Sequence, residues 1–130
     1  MHAADTNVLV RIITAGDDAA QASRAMALME KETIFITKTV LLETEWVLRR
    51  IYKIELGVVL GALRTVASTL NVEIEDADSV EIALDWSEDG MGFANALHLA
   101  SSQRCAKFVT FDKGIKKTAP TEQKTRILQL

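Results

Sequence analysis

The sequence predicts an α/β fold in which a central parallel β-sheet lies between helices. Three observations carry this expectation. Short β-branched or apolar segments alternate with longer stretches of helical periodicity, the pattern of parallel strands joined by crossover helices. No internal repeat, low-complexity tract or proline-rich linker interrupts the alternation, and Pro120 is the sole proline. The chain has 130 residues, which suits one domain with one core, so residues 1–130 are expected to form a single unit.

The elements follow in order. Residues 3–10 form an opening strand, with Asp5 near its start and an apolar run after it. Asp17 and Asp18 offer caps for a helix over residues 19–31, with Ala22, Ala25, Met26 and Met29 on its inner face. Residues 33–37, β-branched and aromatic, make the second strand. Thr39 is placed to cap a helix running through Glu43 and Trp46 to residue 52. Glu43 shares a face with Val47 and Ile51 and is therefore expected to point into packed protein. A helix over 55–70, a short strand over 71–75 and a helix over 78–86 come next. Asp89 and Gly90 make a turn before a helix over 93–104 that is rich in small residues. A strand over 107–111 ends at Asp112, and residues 127–130 add a last edge strand.

Hydrophobic residues make up 48 % of the chain, enough to bury a core. The apolar runs fall well short of the roughly 20 residues that cross a bilayer, so no membrane association is expected. The N-terminus shows no basic segment followed by an apolar stretch, and a secretory signal is not expected. A lone cysteine, Cys105, fits a reducing compartment, with the cytoplasm as the default. The formal net charge is −3 and argues against a protein that coats nucleic acid generally, though not against one that grips RNA through a local patch.

Three acids stand at comparable junctions. Asp5, Glu43 and Asp112 lie at strand ends or on the helices that follow, positions that share one edge of a parallel sheet. Carboxylates gathered there repel one another unless a cation intervenes. Mg²⁺ and Mn²⁺ prefer such oxygen ligands. Taken singly, an acid at a strand end is more often an ordinary helix cap or surface residue than a ligand, and it is the three together that point to a metal.

Four stretches stand out in order: Asp5-Thr6-Asn7-Val8-Leu9, then Leu41-Leu42-Glu43-Thr44-Glu45-Trp46-Val47-Leu48-Arg49. They continue in Gly90-Met91-Gly92-Phe93-Ala94-Asn95-Ala96-Leu97-His98-Leu99-Ala100 and end in Thr110-Phe111-Asp112. On these stretches the chain resembles the PIN-domain family, specifically its VapC-type toxin ribonucleases. The resemblance implies a PIN-like three-layer α/β/α fold, a homodimer, Mg²⁺- or Mn²⁺-dependent cleavage of RNA, and a small antitoxin that blocks the acidic pocket. It makes Asp5, Glu43 and Asp112 metal ligands. Asn95 occupies a position where the family commonly has an aspartate, and Gly92 another, so the third motif has lost two acids. Weakened activity is the expectation, with a catalytically silent module that binds antitoxin or RNA as the alternative.

Thr6, Asn7 and Thr110 neighbour these acids and either orient a ligand or serve as caps. His98 reads as a hydrogen-bonded structural residue. Arg49, Arg50 and Lys53 read as a solvated cationic helix end rather than a phosphate grip. Trp46 and Trp86 read as core or dimer-interface anchors.

Overall fold

The computed structural model describes residues 1–16 and 18–130. It shows the mixed α/β class with parallel strands, arranged in two compact units, Met1–Ala77 and Asp78–Leu130.

In the first unit, strand β1 (His2–Ala3) is followed by α1 (Thr6–Ile13) and α2 (Ala19–Lys31). Strand β2 (Ile34–Ile36) leads into α3 (Lys38–Trp46), which runs on through a π-helical turn (Val47–Ile51). Helix α4 (Leu56–Ala67) and strand β3 (Val72–Ile74) complete it. The sheet order is β1-β2-β3, all parallel, with His2 opposite Ile34 and Ile34 opposite Val72. Parallel neighbours require crossovers, and each connection here is a pair of helices. Ile34 and Ile36 are buried on one side of the central strand, as alternation requires.

The opening segment corrects the expectation of a strand over residues 3–10. Pairing stops at Ala3, and residues 6–13 are helical. Asp5 ends the strand by capping the helix, its Oδ1 accepting from the Val8 N–H at 3.1 Å. Leu9 and Val10 then bury one helical face. The β-branched content of this stretch is overridden by the cap and by packing of α1 on α2 and α3. Asp18 caps α2 by accepting from the Gln21 N–H at 3.0 Å; the second expected cap, Asp17, lies outside the described residues. On α2, Ala22 is buried, and Met26, though half exposed, faces an apolar recess together with Leu9 and Val66. Thr37, not Thr39, caps α3, accepting from the Val40 N–H at 3.2 Å.

In the second unit, α5 (Ala77–Glu88) and α6 (Phe93–Ala100) precede β4 (Phe108–Thr110). Then come α7 (Lys113–Thr118), a 3₁₀ turn (Thr121–Arg126) and β5 (Ile127–Gln129). Strands β4 and β5 pair in parallel, Phe108 opposite Ile127. Helix α6 stops at Ala100, short of the expected residue 104. The Arg126 guanidinium fixes the following turns by donating to the carbonyls of Ser102 and Cys105 at 2.7 and 3.0 Å. Among the described residues no helix is long and apolar enough to cross a membrane.

Candidate functional site

Two of the sequence-predicted acids meet in the first unit. Asp5 and Glu43, with Thr6, Asn7, Val40 and Val47, line a cleft of about 400 Å³. Asp5 reaches it because it caps α1; Glu43 reaches it from the second turn of α3. The N-terminus of α3 is itself anchored, since the Lys38 N–H donates to Glu75 Oε1 at 2.8 Å and Lys38 Nζ pairs with Asp76 at 2.9 Å. Buried Thr6 joins the two helices across the cleft, its hydroxyl donating to Glu43 Oε1 at 2.5 Å. This bond orients the carboxylate, so Thr6 supports Glu43 directly. Asn7 is exposed on the rim.

Glu43 is exposed, which corrects its expected inward direction. The buried stripe of α3 is Leu41, Thr44, Glu45 and Leu48, at spacings of three and four. Two polar residues in that stripe disguised it, whereas the competing face at Val47 and Ile51 is apolar yet faces outward, with Ile51 61 % exposed. Trp46, expected as an anchor, is half exposed on the same side.

Glu45 is the charged residue that sequence reasoning missed. It is 3 % exposed and accepts from Arg49 Nε at 2.6 Å. The signal was present, since glutamate and arginine four apart on a helix are neighbours. Arg49 is therefore paired with a buried carboxylate rather than being only a solvated helix end, although its own side chain is partly exposed.

The other predicted residues belong to the second unit. Asp112 caps α7, its Oδ1 accepting from the Gly114 N–H at 2.7 Å, while its own N–H donates to Thr110 Oγ1 at 2.9 Å. Asn95 is the third residue of α6 and half-buried. Gly92 is the N-cap of that helix and supplies no side-chain acceptor to it. His98, expected to be a hydrogen-bonded structural residue, is exposed.

The donor chemistry of the cleft suits a hard divalent ion. Two carboxylates supply oxygen ligands, a number with which Mg²⁺ is commonly held, water completing its shell. The cap engages only Oδ1 of Asp5, leaving Oδ2 outside that bond. Among the described residues no group of three or more His, Cys, Asp or Glu is gathered so as to hold a metal ion. The fit is thus to the Asp5–Glu43 pair.

A comparison with curated proteins finds no match. A family model, that of the PIN domain, matches residues 3–120. PIN domains are in general metal-dependent nucleases that act on RNA or DNA. The match runs from β1 through α7, taking in the helix-capping acids of both units, and the chain belongs to the PIN domain family.

Proposed function

We propose that the chain is an Mg²⁺- or Mn²⁺-dependent endoribonuclease toxin of the VapC type, weakened by the loss of acids at Gly92 and Asn95. The observation that carries this reading is the cleft in which Asp5 and Glu43 lie together, with Thr6 fixing Glu43. Asp5 and Glu43 would hold the ion. Asp112 and Asn95 are assigned to the same ligand set from their sequence motifs, with Thr110 holding the Asp112 backbone. A bound divalent cation supplies a water acidified for attack on phosphorus and neutralises charge on the phosphate. The chain's own contribution is positional. Helix caps fix Asp5 and Asp112, and the Thr6 hydroxyl keeps Glu43 turned to the cleft. At its motif position Asn95 brings an amide with no charge where the family commonly has a carboxylate. The RNA substrate, a homodimer, a cognate antitoxin covering the acidic cleft and a cytoplasmic site of action belong to the same proposal, and the sequence resemblance supports them.

A silent module that binds antitoxin or RNA is the second reading. It is favoured by the absence, among the described residues, of a three-acid cluster. The deciding experiment restores Asn95→Asp, alone and with Gly92→Asp, and assays RNA cleavage with Mn²⁺, with Asp5→Ala as the control. Cleavage that rises on restoration and disappears with Asp5→Ala is expected. Activity no higher than in the starting protein would favour the silent module, and so would the lack of Mn²⁺-induced thermal stabilisation.

A further inference from the structure

Beside the carboxylate cleft lies a second recess of about 430 Å³, lined by Asp5, Asn7, Arg11, Gln21, Arg24 and Leu28. Asp5 and Asn7 line both, so the two recesses adjoin, the second adding Arg11 and Arg24 to the shared Asp5. Arg11 lies in the last turn of α1. Its Nε donates to Gln21 Oε1 at 2.8 Å, and its Nη1 donates to the Tyr52 hydroxyl at 3.2 Å. Arg24 follows Gln21 by three residues on α2, which places it on the same face, and it is exposed.

We propose that this recess is a phosphate-binding subsite holding the RNA strand next to the bond to be cut, with Arg24 and Arg11 as positioning residues. The inference rests on the nuclease reading for its choice of RNA. Guanidinium groups suit phosphate oxygens because their fork of donors matches them. A chain of net charge −3 has no general affinity for a polyanion and needs a local cationic patch. The carboxylates alone repel phosphate, so a strand laid across Asn7 is drawn to one side and admitted on the other only with a cation. That asymmetry sets its register.

The test is fluorescence anisotropy of a single-stranded oligoribonucleotide with the full chain in EDTA, where metal-dependent cutting is silent. Arg24→Met should make the slope of log affinity against log salt shallower by about 0.7, one phosphate contact on a single strand. Over one decade of salt that is about a fivefold loss near 0.1 M. Arg24→Lys should restore most of the slope, Arg11→Met should act like Arg24→Met, and Lys31→Met, exposed elsewhere on α2, should change neither. Three results would overturn the subsite: no RNA binding by the starting protein, no effect of Arg24→Met, or equal affinity for an acidic peptide. Cleavage by the restored Gly92→Asp/Asn95→Asp protein is measured separately with Mn²⁺. Arg24-dependent binding without any cleavage retires the nuclease reading and keeps the subsite. Cleavage and binding that are both indifferent to Arg24 do the reverse.

Discussion

Replacing Gly92 with aspartate should stabilise the protein before any metal is added. Gly92 is the N-cap of α6, with φ −59° and ψ 139°, and makes no side-chain cap bond to that helix. Those angles are open to any L-residue and match an ordinary N-cap. A Cβ built there meets nothing within 4 Å. Aspartate at a cap improves on glycine by a few tenths of a kcal/mol. Its charge at the positive end of the helix adds about 0.3–1 kcal/mol. Removing glycine's freedom in the unfolded chain adds about 0.4–1 kcal/mol. Exposed Glu88 and Asp89 precede the site in sequence, and their repulsion subtracts a few tenths. The net gain is about 1–1.5 kcal/mol, or roughly 4–6 °C in Tm for a chain of this size. The assay is a circular dichroism melt in EDTA, with Gly92→Ala as the reference that shares the entropy gain but cannot cap. Gly92→Asp melting at or below Gly92→Ala would refute the capping argument. If Mn²⁺ alone recovered the difference, residue 92 would be lodged among acids rather than serving as a cap.

Four further outcomes are expected. Gly90 has φ +120°, so Gly90→Ala should cost about 1–3 kcal/mol in urea unfolding although the Cβ meets open space. Arg49→Met strands the buried Glu45 carboxylate and should cost about 2–4 kcal/mol, less than for a fully enclosed pair because the Arg49 side chain is 34 % exposed; adding Glu45→Gln should recover part of the loss in a double-mutant cycle. Thr6→Val removes the hydroxyl that holds Glu43 and should lower stability by about 1 kcal/mol, with a fall in Mn²⁺-dependent cleavage in the restored background. Asp5→Ala should lose about 1 kcal/mol of capping, measured in EDTA, and also abolish any Mn²⁺-induced rise in Tm.

Much of the architecture was legible because local chemistry and tertiary structure agree. The α2 boundaries, the strands at 34–36 and 72–74, the turn at Asp89 and Gly90, and the last strand at 127–129 all follow from period and punctuation. Asp5 and Asp112 were legible as acids at junctions, and each caps the helix that begins there. Misreadings cluster where two periods compete. Residues 6–13 carry strand-forming side chains, and only the Asp5 cap with burial against α2 and α3 makes them helical. On α3 the buried stripe carries two polar residues, Thr44 and Glu45, while the apolar pair Val47 and Ile51 lies beside it, and sequence could not say which would be covered.

By itself, then, the sequence determined the parallel α/β class and the order of elements from α2 to β4, though neither α1 nor α7, because hydrophobic period, caps and turn residues act over a few neighbours. The tertiary structure alone decided which face of α3 is buried. That choice turned Glu43 outward to a cleft with Asp5, put Glu45 inside with Arg49, and set Arg11 and Arg24 in a recess beside the acids. Its physical reason is that a face is buried when another element covers it, and the covering elements come from segments distant along the chain.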